Sequence, residues 1–537
     1  MQKSKSFFKS ETFFFIVFVL LSAVGVFINL PYCYDKVITY DSAYQYSLTV
    51  HSWKEIWRLL PEDYSPPLYT VILKLVCIVF GHTLKVMRFT NSIVIIGLVF
   101  LALFPIRKAF GIKTAIVSAA AFLCSSLNSV LFNEVRPTYW AYFFLTATAV
   151  YAYLAFFEGN RKYYICHTFF SLCSMYTHNV AMVGALGIYI VVLLFAIIKK
   201  DKKKFIRFFI SGTICAVLYL PWLIVLFKQL GNVTDHYWKG VNSTFSSIRE
   251  DCVESILFCI YPSTSIPVLV EHTLSLLFKL LIIYYLIKNI KIKDAKKLSD
   301  IVKQSPLFDK EKKHSYFKMA FILLLFLMPL LIFEILARTV YQFSTPRYYY
   351  LFTGIIIIIL SLFFTRIEKR IIPFICIAAL ITNTVSIHAD IRTSLLNSSA
   401  QKMVETIKKD NPDGDICFLH SHEWSIGIMS YFFPNAKHYI YDDTFTVIND
   451  MSVFTTNPQN IGNIDNIRAY TDKFYTFNSF FTNEEKIDPI KYFENEPGYT
   501  CQKHKRYNYL YTVPSTISIS KVEVKNGNDT SEKDDIQ

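Results

Sequence analysis

Charge is scarce in this chain. Only 18% of its 537 residues are Asp, Glu, Lys or Arg, while 53% are hydrophobic, a balance that a soluble protein of this length would not need. The eleven cysteines form no Cys-x-x-Cys pair and no metal-ligand spacing. Several, such as Cys124, Cys166, Cys173 and Cys215, fall inside apolar runs, so they read as packing residues. The opening "MQKSKSFFKSETFFFIVFVLLSAVGVFI" starts basic like a signal peptide but has no convincing small-residue cleavage site. It is read as an uncleaved first span. No internal repeat is evident either, and the ionisable groups that stand out lie at span ends, unlike the pattern of many transporters.

What the chain has in abundance is apolar runs. Segments suited to the ~30 Å hydrocarbon core fall near 13–31, 88–106, 113–132, 138–157, 162–178, 180–198, 205–227, 267–287, 317–336, 348–365 and 371–388. The expected class is an α-helical polytopic membrane protein with about eleven such helices. One further run, "PPLYTVILKLVCIVFG" (66–81), is short, opens on two prolines and contains Lys74. Length alone leaves it crossing the membrane or lying along it.

Charge placement decides between these. The net charge of +14 would suit a nucleic-acid binder, but the basic residues come in short runs between apolar segments, such as "KKDKKK" (199–204) and the stretch from Lys288 to Lys318. This is the positive-inside pattern, so the charge reports topology and no nucleic-acid partner is expected. With 66–81 lying at the outer face, the N-terminus and the loops carrying Arg107, Arg161, Lys199–Arg207, Lys288–Lys318 and Arg366–Arg370 all fall inside. They hold roughly 27 Lys and Arg, far more than the outside loops; a crossing 66–81 would reverse the bias. The expectation is therefore a multi-pass plasma-membrane protein with a cytoplasmic N-terminus and an extracytoplasmic C-terminal region.

Three parts follow: a membrane domain over 1–389, a small extracytoplasmic α/β domain over 390–521, and a disordered polar tail over 522–537. Within the second, "SAQKMVETIKKDNPDGDICFLHS" reads as helix, turn and strand, and "KHYIYDD", "KFYTFNSFF" and "RYNYLYTVP" read as further strands.

Ionisable groups beside spans are costly and need a reason. The outer-end candidates are Asp41, Asp63, Glu134, Arg136, His178, Glu334, Arg338 and Arg347. Singly, each has a plain explanation. Arg136 and Arg347 would snorkel to headgroups, Asp63 would begin a turn, His178 would be an interfacial hydrogen-bonding residue, and Glu334 would pair with Arg338 on one helix end. Together they suit another task. Arginine binds phosphate through a permanently charged planar fork, and a carboxylate beside it suits removal of a proton from a hydroxyl.

The order "TYDSAYQYSL … DYSPPLYTVILKL … VMRFTNSIVI … NEVRPTYWAYFF … YTHN … YLPWLIVLFKQLG … PRYYYLF" resembles the bacterial relatives of protein O-mannosyltransferases and aminoarabinose transferases. These are GT-C membrane glycosyltransferases of family 39 type. The resemblance spans about residues 10 to 365. It implies a polyprenyl-phosphate sugar donor, with Asp41 as the acidic residue of the first external loop. It also matches Glu134 and Arg136, Thr177 and His178, and Arg347 and Tyr348 to family elements. Two departures stand out: the usual Asp-Glu pair reads Asp41-Ser42, and the usual His-Pro-Pro-Leu begins with Ser65.

The resulting expectation is an inverting glycosyltransferase, hexosyl or pentosyl, acting at the outer face in cell-envelope glycosylation. Asp41 would be the general base, Arg136 and Arg347 would hold the donor phosphate, and Asp63, Glu134, His178 and Tyr348 would support them. Tyr348, Tyr139 and Trp238 are candidates for sugar stacking, though belt anchoring weighs more with 35 tyrosines in the chain. No cofactor and no metal ligand is predicted, with a divalent metal left as an alternative. The acceptor is open among protein, lipid and cell-wall polymer. The rival class is a transporter or flippase for the same lipids.

Overall fold

The computed structural model describes residues 11–33, 38–62, 65–236, 313–339, 346–365, 399–421, 423–441, 451–454, 456, 458–479, 488–503, 507–508 and 516–525. The helices of the membrane part are α1 (Glu11–Asn29), α2 (Tyr40–Val50), α3 (Trp53–Leu59), α4 (Leu68–Phe80), α5 (Leu84–Thr90), α6 (Ser92–Leu101), α7 (Arg107–Phe110), α8 (Ile112–Cys124), α9 (Ser126–Asn133), α10 (Thr138–Glu158), α11 (Arg161–Thr177), α12 (Asn179–Ile198), α13 (Lys202–His236), α14 (Lys313–Thr339), α15 (Pro346–Tyr349) and α16 (Thr353–Phe364). Among the described residues, six helical stretches are long and apolar enough to cross a membrane. The expected spans at 267–287 and 371–388 lie outside the described residues.

α10 is the axis of the bundle. It is buried along nearly its whole length, from Tyr139 to Phe156, as an all-round apolar helix must be. Its alanines at 141, 147, 149, 152 and 155 let neighbours approach closely. Gly354 of α16 stands against Tyr142 and Thr146, and Gly184 of α12 lies 2.9 Å (ideal Cβ) from Leu145 and 3.3 Å from Phe352. The outer helices do the opposite. α1 exposes Phe15, Leu20 and Phe27, and α13 exposes Phe209, Val217 and Phe227, faces suited to lipid.

Two expected spans have internal breaks. The run 113–132 is not one helix: Ser125 takes an extended conformation between α8 and α9. The expected span 88–106 lies within a helical stretch, Leu84–Phe110, that continues through a π-helical turn, Ala102–Ile106, which accommodates Pro105. α4, the ambiguous 66–81 run, has 13 residues, about 20 Å at 1.5 Å per residue. It is too short to cross ~30 Å of hydrocarbon alone.

The basic loop residues meet at one end of the bundle. Arg107 pairs with Glu11 at 2.6 Å and Lys108 with Glu158 at 3.4 Å. Arg207 donates to the Gly159 carbonyl at 2.8 Å, while Lys199 and Lys204 sit over the Phe317 and Phe156 rings. The C-terminal region packs at the other end.

That region contains α17 (Ser399–Asp410), β1 (Cys417–His420), α18 (Glu423–Phe432), β2 (Lys437–Ile440), β3 (Gln459–Asn460), β4 (Lys473–Ser479), α19 (Pro489–Asn495), β5 (Tyr499–Lys503), β6 (Tyr507–Asn508) and β7 (Thr516–Val524). The described strands form a mixed sheet in the order β3-β2-β1-β4-β7-β5, with β6 also on β7. β1 is parallel to β2 and β4, and β7 is antiparallel to β4 and β5. The expected helix, turn and strand at 399–420 are present, as are strands within "KHYIYDD" and "KFYTFNSFF". Of "RYNYLYTVP" the structure describes Tyr507 and Asn508 as strand, and residues 526–537 of the expected tail lie outside the described residues.

Candidate active site at the domain end of the bundle

α2 begins with Thr39, whose hydroxyl caps the helix by accepting from the Ser42 N–H at 3.4 Å. This places Asp41 in the first turn, where the positive end of the helix dipole favours a carboxylate. α2 is short and, by sequence, only weakly helical, with tyrosine, serine and threonine at most positions. Tertiary contacts hold it. From α4, Thr70 donates to Gln45 Oε1 at 3.1 Å, and Lys74 donates to the Thr49 carbonyl at 2.8 Å. The lysine that looked out of place in an apolar run is a cap on the C-terminal end of α2.

The second element is the turn between α9 and α10. Ser42 Oγ accepts from the Val135 N–H at 3.1 Å. Asn91 donates to the carbonyls of Phe132 at 2.9 Å and Glu134 at 3.0 Å, and its own oxygen accepts from Trp140 Nε1 at 3.1 Å. Arg88, buried to 2% exposure, donates to the Asn133 carbonyl at 2.8 Å. A buried guanidinium is expensive unless its hydrogen bonds are made, so this turn is fixed rather than draped. It projects Glu134 and Arg136 toward α2.

Arg136 meets Asp41 in a direct ion pair, and its Nε lies 3.9 Å from Glu134. The pair is not sealed: the Asp41 side chain is 40% exposed and the Arg136 side chain 20%. Tyr69 of α4 is buried alongside. Burial first, then the negative charge of Glu134, hold its phenol well above its ordinary range, so it stays protonated there.

A second group lies at the same end. His178 caps α12 by accepting from the Val180 N–H at 3.1 Å, and its ring meets Tyr348 edge-on at 5.9 Å. Tyr349 donates to Glu334, which is buried. The level follows from packing: the turn 350–352 lies on α10, and Gly354 abuts Tyr142, one helical turn from the start of α10. The Arg136 turn, the His178 cap and the Arg347–Tyr348 segment therefore share one end of the bundle.

The sequence expectations divide accordingly. Asp41, Glu134 and Arg136 are brought together, and His178 meets Tyr348. Arg347 is carried on α15, but its side chain lies outside the described residues, as do Asp63 and Trp238. Tyr139 is 1% exposed and stacks on Tyr142 at 5.9 Å in the core. Glu334 accepts from Tyr349, and the Arg338 side chain lies outside the described residues. Among the described residues, no group of three or more His, Cys, Asp or Glu is placed to hold a metal ion.

Sequence reasoning missed Arg88, Asn91 and Ser42. A charged residue opening the apolar run at 88 was the available signal for the first two. Ser42, noted only as a departure from an Asp-Glu pair, ties Asp41's helix to Arg136's turn. The C-terminal region was also underrated. Phe454 packs between Tyr40 and Tyr44 at 6.3 and 6.2 Å, and Tyr431 meets Tyr46 at 4.9 Å. The Val453 carbonyl is hydrogen-bonded to His51 at 2.9 Å.

No protein-family model and no curated protein sequence matches the chain. Solved structures do. ArnT from Cupriavidus metallidurans in the apo state matches with a TM-score of 0.55 at 9% identity, covering 95% of this chain and 98% of that one. The same protein bound to undecaprenyl phosphate matches with a TM-score of 0.50 at 11% identity and the same coverage. The chain shares the fold of that protein over nearly its whole length, a polytopic helical membrane fold with a strand-containing C-terminal region.

Proposed function

We propose that this protein is a glycosyltransferase that moves a sugar from a polyprenyl-phosphate donor to an acceptor hydroxyl at the outer membrane face. The observation that carries the reading is the Asp41–Arg136 pair, set by a built scaffold at the domain end of an ArnT-type bundle. The undecaprenyl phosphate bound to the ArnT neighbour supports a polyprenyl-phosphate partner. The cations at the opposite end of the bundle support placing that end in the cytoplasm.

In the resting site, Arg136 pairs with Asp41 and holds it in place. The donor phosphate competes for the guanidinium, whose fork suits phosphate oxygens, and Arg347 joins it. Asp41 is then free to take the proton of the acceptor hydroxyl. The acceptor oxygen attacks the anomeric carbon as the carbon–oxygen bond to phosphate breaks on the opposite face, so the configuration inverts. Polyprenyl phosphate leaves with the bonding electrons, its charge stabilised by the arginines, an effect worth several kcal/mol when such groups are pre-placed.

The test is reconstitution. Purified protein in liposomes receives radiolabelled polyprenyl-phosphate sugars and candidate acceptors. Acceptor-dependent release of free polyprenyl phosphate fits the transferase, whereas movement of intact lipid between leaflets without release fits the flippase.

A further inference from the structure

We infer that the C-terminal region is a working part of the site, with Gly427 as a positioning residue that sets the N-terminal turn of α2 and so the place of Asp41. This inference rests on the reading of Asp41 given above. Gly427 lies on the face of α18 that packs on α2. A Cβ built there would stand 2.9 and 3.1 Å from Cδ2 and Cε2 of Tyr40 and 3.2 Å from Cε1 of Phe454. The first of these is closer than real Cβ atoms come, and the atoms met are the body of a ring, not the end of a flexible chain.

Tyr40 is the residue before Asp41, and it has no easy retreat. Phe454, 1% exposed, packs against it and against Tyr44. Ile426, beside Gly427, is fully buried in a cluster with Tyr44, Leu48, Trp222 and Val453. On its other sides α2 is held by Thr70 and Lys74 of α4 and by the Ser42–Val135 hydrogen bond. Pressure at Gly427 therefore bears on the turn containing Tyr40 and Asp41. Close-packed interiors of this kind transmit strain rather than absorb it.

The experiment introduces Gly427→Val, with Tyr40→Leu as the compensating change. Gly427→Val is expected to lower kcat by roughly 10- to 100-fold, the scale of an ångström-sized misplacement, with donor KM little changed. Tyr40→Leu in the same chain is expected to restore most of it, with a cooperative thermal transition in detergent for every variant showing that it folds. A second readout needs no catalysis: in a cysteine-free chain carrying Asp41→Cys, the rate of alkylation by a small thiol reagent should change with Gly427→Val and return with Tyr40→Leu. An unchanged rate, or wild-type kcat in Gly427→Val, overturns the inference and leaves the transferase reading standing. A changed rate in a protein whose wild type transfers no sugar supports the positioning role and overturns the transferase reading instead.

Discussion

Arg136 pairs with Asp41 although the two lie on separate elements, one in a turn before α10 and the other at the start of α2. The pair is the product of a scaffold: Arg88, Asn91 and Ser42 fix the turn, and Thr39, Thr70 and Lys74 fix the helix. A surface ion pair formed by chance would have no such support.

Arginine at position 136 is expected to resist replacement by lysine. A two-pronged phosphate contact needs the guanidinium fork, whereas a headgroup anchor needs only a charge. Arg136→Lys should lower turnover strongly at an unchanged protein level, and Arg347→Lys should do the same through its proposed role. Wild-type transfer rates in both variants would make these arginines membrane anchors.

The side assignment has its own check. Single cysteines at Ser243 and Ser479 of a cysteine-free chain should react with an impermeant thiol reagent on intact cells, and one at Ser299 should not. Labelling at Ser299 in sealed cells would put the basic loops outside, against the positive-inside bias.

The C-terminal region should weaken in acid. His420 and His438 are buried and share a hydrogen bond of 2.9 Å; His420 also bonds Ser425 at 2.8 Å, and His438 the Phe433 carbonyl at 3.3 Å. Burial lowers His438 to about 4, and burial with the neighbouring His438 lowers His420 well below its usual value. Between the ordinary value near 6.5 and about 4, the unfolded chain binds protons that the folded one does not. Stability therefore rises with pH across that window and is lost as pH falls through it. Hydrogen exchange of β1 and β2 at pH 7 and pH 5 reads this directly, and equal protection at both would contradict it.

Much of the architecture was legible because lipid imposes it. Apolar runs, basic loops and the shortness of 66–81 each follow from a one-dimensional pattern, and so did the gathering of Asp41, Glu134 and Arg136. Contacts between distant segments were not legible. Nothing local marks Gly427 as a neighbour of Tyr40, Lys74 as the cap of α2, or "TISISKVEV" as the strand that joins β4 to β5. Ser42 was visible only as a missing carboxylate, because its task is a hydrogen bond to a backbone far along the chain. The Ser125 break was hidden for a simpler reason: the run around it is apolar enough to read as one helix.

In the proposed reaction, Asp41 takes the proton from the acceptor hydroxyl. Asp41→Asn keeps the side chain's shape and removes its basicity. With the donor phosphate held by the arginines, as proposed, donor binding should survive, and loss of a nearby negative charge would favour it slightly. The measurement is acceptor-dependent release of polyprenyl phosphate by Asp41→Asn in liposomes, alongside its affinity for the donor. Release should slow by about 10²- to 10⁴-fold with donor affinity intact. Release at the wild-type rate would contradict it.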